Sequence, residues 1–170
     1  MSVVVSFDDY GDTHGLALAR GRYMDNNNTA IEAFWDGDGY LEPYAVVTVN
    51  LGESLDAHEA YISGDVGKDL VDALVAANVI RDTGQRGYSG WGEYMLVRIS
   101  DEAYDAMDVL DDAMCEENVA AALHEWREGT LDAGLPRFES SMPMPQPSPI
   151  SSISDAFSSD GSDYDFDIPF

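Results

Sequence analysis

The chain has 170 residues, and 8 Lys and Arg against 33 Asp and Glu give a net charge of −25 at pH 7. So strong a negative charge excludes proteins that bind nucleic-acid phosphates or anionic membranes through a basic surface, and it favours basic partners. A single cysteine, Cys115, excludes an internal disulfide. With no secretory signal and no apolar run of about 18 residues, we expect a cytoplasmic protein.

Residues 1–100 predict an α+β domain in which a small antiparallel sheet carries one short helix. Short apolar or alternating runs predict strands at 3–7, 16–22 and 29–35, and the Asp-Gly pair in WDGDG predicts a tight hairpin turn after the third run. The stretch YAVVTVN at 44–50 is dense in β-branched residues and predicts a central strand.

The remaining sequence of this domain predicts a helix, a loop and a last strand. Apolar residues recur on one helical face across 65–80. The glycine-rich stretch GQRGYSGWG at 84–92 lacks the Lys-Ser/Thr pair of a phosphate-binding loop, so we interpret it as a plain loop. Residues 94–99 predict a further strand.

An acidic helical segment is predicted at 101–134. Ser100 is a suitable N-cap, and apolar side chains recur at helical spacing across 103–114. A second run, 119–126, either continues this helix or begins a new one, and Gly129 is a stop signal. We therefore expect one or two acidic helices.

The carboxylates of this segment are dense enough to imitate a row of DNA phosphates. Such a surface would occupy the DNA-binding cleft of another protein and inhibit a restriction, CRISPR or repair complex. The ordinary alternative is a solvated acidic helix face. The residues of this DNA-mimic face are Asp101, Glu102, Asp105, Asp108, Asp111, Asp112, Glu116 and Glu117.

No combination of residues predicts catalysis, a metal or a cofactor. His14, His58 and His124 are scattered without the spacing of metal ligands. The DGDG stretch begins like a calcium loop, but Leu41 and Val47 stand where that loop requires Gly and Glu. We therefore expect a protein that is not an enzyme.

The composition changes after the helical segment. Alternating prolines in MPMPQPSP prevent helix and sheet and predict an extended spacer within a Pro/Ser-rich linker at 135–161. No Lys or Arg follows Arg137, and 141–170 is predicted to be disordered. The last stretch, SDYDFDIPF at 162–170, alternates acidic and apolar residues and predicts a docking tip.

The sequence DYDFDIPF closely resembles the acidic tip of bacterial single-stranded-DNA-binding protein, which also follows a linker rich in Pro, Gln, Gly and Ser. The resemblance covers six to eight residues closely and the linker in kind. It implies docking on RecQ-type helicases, primosomal helicase, exonucleases, recombination mediators or a clamp-loader subunit. The tip residues are Asp163, Asp165, Phe166, Asp167, Ile168, Pro169 and Phe170.

The body has a separate resemblance, carried mainly by EPYAVVTVNLG and by a TG-x-x-G-x-SG loop. Residues 22–99 resemble a small family of uncharacterised domains whose genes lie mainly on plasmids, conjugative elements and phages. This implies a mobile-element setting. The leading hypothesis is thus a protein-interaction module whose tip competes for or recruits host genome-maintenance proteins. The alternatives are a DNA mimic and an accessory single-stranded-DNA-binding or replication protein, which the negative charge disfavours.

Overall fold

Residues 2–129 are described by the computed structural model of the chain, and they form two mainly antiparallel sheets and three helices. The predicted α+β class is confirmed. The predicted linker (135–161) and docking tip (162–170) lie outside the described residues. The elements are β1 Val3–Asp9, β2 Asp12–Arg22, β3 Thr29–Gly37, β4 Tyr40–Val46, β5 Thr48–Val49, β6 Glu59–Ile62, α1 Lys68–Ala76, β7 Ile80–Ser89, β8 Gly92–Ile99, α2 Asp101–Ala106, β9 Asp108–Val109 and α3 Cys115–Arg127.

The first sheet has the order β1-β2-β3-β4, with antiparallel neighbours, and β9 adds a short parallel pairing to β2. The turn between β3 and β4 follows from the WDGDG sequence. Asp38 and Gly39 both have positive φ, 50° and 90°, which a two-residue primed turn requires. The predicted hairpin turn is therefore confirmed.

The second sheet has the order β5-β6-β8-β7. The single central strand predicted at 44–50 is wrong, because this segment is divided between the two sheets. β4 ends just before Val47 at the edge of the first sheet, and β5 begins just after it at the edge of the second. The Val47 N–H donates to the Ile31 carbonyl (2.8 Å), and the Val47 carbonyl accepts from the Ser63 N–H (2.9 Å). The strand therefore changes partner at Val47.

The glycine-rich stretch 84–92 is not the plain loop that the sequence predicted. Only Gly90 and Trp91 lie outside the strands, and they form the turn of the β7–β8 hairpin. Gly84 has a φ of 80° where the pairing register of the hairpin shifts. A glycine in the left-handed region lets a strand bulge and then continue, so this residue marks an irregularity within a strand.

The two helix boundary signals are confirmed. The Ser100 Oγ accepts a hydrogen bond from the Ala103 N–H (3.2 Å), so Ser100 caps α2 as predicted. Gly129 follows the end of α3 with a φ of 72°, the left-handed conformation that commonly terminates a helix.

The helix predicted across 103–114 is interrupted after Ala106. The chain there becomes extended and pairs with β2, and the Leu110 N–H donates to the Arg20 carbonyl (2.8 Å). Met107 stays buried in this extended conformation. The long-range pairing therefore replaces the helical bonds, and the prediction that a new helix begins is the correct alternative.

The first sheet has buried side chains on both of its faces. Val3 and Val5 of β1 face the larger core, which also contains α1 and side chains of the second sheet, whereas Val4 faces α3. Ala17 and Ala19 of β2 lie on the α3 side with Val4. The fold is thus layered, with the second sheet and α1 on one side of the first sheet and α3 on the other. No helix within residues 2–129 is long and apolar enough to cross a membrane.

Candidate protein-interaction surface

The start of the acidic segment is held in place by Tyr104 of α2. The Arg20 guanidinium lies 4.3 Å from the centre of the Tyr104 ring, and the His58 ring stacks on it with centroids 4.3 Å apart. The Arg20 Nε donates to the Tyr104 carbonyl (2.8 Å), and the Arg22 Nη2 donates to the Tyr104 hydroxyl (3.0 Å). Two basic side chains are thereby engaged by the protein itself, and α2 is fixed on the edge of the core.

The first group of predicted DNA-mimic residues lies on α2. Asp101, Glu102 and Asp105 are exposed, and the Asp101 Oδ1 lies 2.6 Å from the His58 Nδ1. Asp101 and Asp105 border a shallow depression together with Asp56. Asp101 and Asp105 therefore share one surface, which Arg98 also borders, and Asp101 already has a partner.

Asp108 does not belong to an open acidic face. It lies in β9, is half-buried, and accepts hydrogen bonds from the Asn118 Nδ2 (3.0 Å) and from the Ser2 hydroxyl. These bonds join the beginning of the chain, β9 and α3. Because Asp108 is engaged in these bonds, it leaves a gap in the row of carboxylates that the sequence suggested as a phosphate mimic.

The second group of predicted residues borders a groove of about 610 Å³. Asp111, Asp112 and Glu116 form one side of it, and Glu32 of β3 contributes a fourth carboxylate. The groove is also lined by the apolar side chains of Phe34, Leu41, Leu110, Ala113 and Val119. Glu117 is exposed in the first turn of α3 but does not line the groove. The structure thus brings three of the predicted residues together around an apolar surface.

Sequence reasoning missed the contribution of β3 and β4 to this groove. The available signal was Glu32, a charged residue that stands between Ala30 and Phe34 on one face of β3. A charged residue in that pattern marks a face that is not fully covered. Leu41 gave no comparable signal, because its place beside α3 depends on the hairpin register.

Cys115 lies in the wall of the groove and is buried. Burial raises the pKa of its thiol, and the negative charges of Asp108, Asp112, Glu116 and Glu32 raise it further. The thiolate is the nucleophilic form of cysteine, so this environment disfavours reactivity. Within residues 2–129 no group of three or more His, Cys, Asp or Glu side chains is placed to hold a metal ion.

The comparison with known families matches residues 17–120 to a domain of unknown function, DUF4313. The chain belongs to this family. The matched region extends from β2 into α3, so the DUF4313 domain includes the groove and both groups of acidic residues. None of the curated proteins and none of the solved structures is significantly similar to the chain.

Proposed function

We propose that the protein is a non-enzymatic interaction module of a mobile genetic element. Its residues 162–170 bind host genome-maintenance proteins such as helicases and nucleases, and the bound receptor is either blocked or recruited. The sequence DYDFDIPF carries this proposal, because its order of acidic and apolar residues resembles the tip that those receptors bind. The preceding Pro- and Ser-rich linker agrees with the same resemblance.

The chemistry of the tip suits a small basic pocket. The Phe170 ring is an aromatic anchor that such a pocket would bury. Pro169 restricts the conformations of the free segment, which lowers the entropy cost of binding. Asp165 and Asp167 would face a basic rim and speed the encounter.

The charge distribution of the body supports a protein partner over direct binding of single-stranded DNA. Binding single strands requires a basic groove with stacking aromatic side chains. Within residues 2–129, most Lys and Arg side chains are engaged in hydrogen bonds or ion pairs with the protein itself. In that region only Arg81 and Arg98 make neither contact. Two such residues do not form a basic groove.

A competition titration tests the proposal. A fluorescent peptide with the tip sequence of single-stranded-DNA-binding protein is bound to a purified RecQ-type helicase, and the full-length protein is added. We expect displacement by the full chain and at least about tenfold weaker displacement after deletion of Phe170, because the anchor is lost. Phe157→Ala, which changes an aromatic residue outside the tip, is the matched control. Equal displacement by the full chain and the Phe170 deletion, or none by either with an exonuclease and a primosomal helicase as well, contradicts the proposal.

A DNA mimic is the second candidate, favoured by the exposed carboxylates of the body. Glu102, Asp105, Asp111, Glu116 and Glu117 are exposed and form no ion pair with any described residue. Their charges therefore remain available to a basic cleft. If this function is correct, replacing these residues by Gln and Asn abolishes inhibition of the target complex, whereas deleting Phe170 has no effect.

A further inference from the structure

The groove exists because α3 covers only part of one face of the first sheet. α3 packs mainly on β2 and its neighbours β1 and β3, and Val119 and Leu123 are buried there with Ala17 and Ala19. Towards the edge strand β4, Phe34 and Leu41 are only partly buried and line the groove. Within residues 2–129, an apolar strip of the sheet is thus left uncovered beside a helix.

Glu32 of β3 places a charge on the same face of the sheet. It lies directly opposite the buried Ala19 in the sheet and is itself half-buried on the α3 side. Its carboxylate makes no hydrogen bond or ion pair with any residue that the structure describes. Its oxygens still reach water, since no buried side-chain oxygen of a described residue lacks a hydrogen-bond partner. A ligand that covered this face would remove the carboxylate from water, which is costly unless the ligand brings a compensating cation.

The charge of the groove specifies that ligand further. Among the residues that the structure describes, four carboxylates line it, from Glu32, Asp111, Asp112 and Glu116, and no Lys or Arg does. A neutral apolar segment would leave these charges partly desolvated and uncompensated, whereas a basic segment would satisfy them. The volume, about 610 Å³, lies within the range of roughly 300–1,000 Å³ that is usual for binding clefts.

The edge strand argues for a helix as the ligand. An extended peptide would add to the free edge of β4 through backbone hydrogen bonds. Pro43 lies within β4 and has no N–H to donate, and the β3–β4 register shifts beside it. Strand addition is therefore disfavoured, while a helix lying beside α3 would complete the helix layer on the sheet.

We propose that the groove between α3 and β3–β4 binds a basic amphipathic helix of a partner protein. The apolar face of that helix packs on Phe34, Leu41, Leu110 and Val119, and an Arg or Lys pairs with Glu32. This site uses the DUF4313 body alone, so it is independent of the tip at 162–170.

The experiment uses the full-length protein and a synthetic 18-residue helical peptide, with Leu at helical spacing on one face and Arg beside that face. Binding is measured by fluorescence anisotropy. We expect saturable binding that Glu32→Gln weakens by about tenfold, because the pairing charge is lost. Glu102→Gln, an equal change on the surface of α2, is the matched control and should leave affinity unchanged. Deletion of Phe170 should also leave it unchanged, which separates this site from the tip.

Cys115 supplies an independent readout because it is the only thiol and lies in the groove wall. The bound peptide should slow the reaction of Cys115 with a disulfide reagent by at least about fivefold. A scrambled peptide of equal charge without an apolar face should neither bind saturably nor protect the thiol. Equal weakening by Glu32→Gln and Glu102→Gln, saturable binding without thiol protection, or no saturable binding overturns the proposal.

Discussion

Burial, and after it the surrounding carboxylates, raise the pKa of the Cys115 thiol. Because burial and nearby carboxylates raise its pKa, the folded protein keeps the thiol protonated at a pH where the unfolded chain begins to lose its proton. Above about pH 8.5, the usual thiol pKa, the unfolded state therefore binds fewer protons, and the free energy of unfolding falls as pH rises.

We predict that the urea midpoint falls between pH 7.5 and pH 9.5 and that Cys115→Ala reduces this fall. Measurements stay below pH 9.5 because Tyr44 and Tyr61 also have raised pKa values and would add to the effect above that range. The same pH series on the wild type and the variant is followed by circular dichroism. Identical slopes for the two proteins would show that Cys115 does not carry the effect.

The attachment of α3 depends on the close approach of one glycine in β2. A Cβ at Gly15 would lie 2.5 Å from the Trp126 ring, closer than real side-chain contacts. We therefore predict that Gly15→Ala lowers the free energy of unfolding by about 1–3 kcal/mol, the usual cost of overpacking. Trp126 fluorescence and urea unfolding measure the displacement of the helix and the loss of stability.

Gly64→Ala is the control for this prediction. A Cβ there would meet the nearest ring atom, in Tyr94, at an ordinary 3.7 Å. It should change stability by less than about 1 kcal/mol. A Gly15→Ala protein as stable as the control would mean that the Trp126 ring moves aside without cost.

The elements that sequence patterns predicted correctly are those determined by neighbouring residues. The WDGDG turn and the Ser100 cap need only local geometry, and both are present. The failures involve partners distant in sequence. β9 replaces a predicted helical turn because it pairs with β2, and the strand at 44–50 is divided because Val47 bonds to both β3 and a residue beyond β6.

The groove was also only partly predictable from the sequence. Its acidic rim was predictable from composition, since Asp111, Asp112 and Glu116 are close in sequence. Its apolar floor was not, because Phe34 and Leu41 reach α3 only through the register of the β3–β4 hairpin and the position of the helix on the sheet. Glu32, a charge between Ala30 and Phe34 on one face of β3, was the signal for this face in the sequence.

The net charge of −25 acts on the molecule as a whole. Like charges repel one another more strongly in the compact state than in the expanded one, so this charge opposes folding. Added salt shortens the range of the repulsion, with a Debye length of about 30 Å at 0.01 M and about 3 Å at 1 M. Few described ion pairs would be weakened at the same time.

We therefore predict that the melting temperature rises by several degrees between 10 mM and 500 mM NaCl. This corresponds to an increase of roughly 1 kcal/mol or more in the free energy of unfolding. A variant with Glu102→Gln, Asp105→Asn and Asp111→Asn removes three exposed charges without touching the core, so it should be more stable at 10 mM NaCl and gain less from salt. Calorimetry of both proteins at the two salt concentrations measures this difference. Equal stabilisation of both proteins by salt would mean that general effects of salt on hydration outweigh the repulsion. If salt stabilises neither protein, the acidic side chains are too far apart in water for their repulsion to affect stability, and the prediction is wrong.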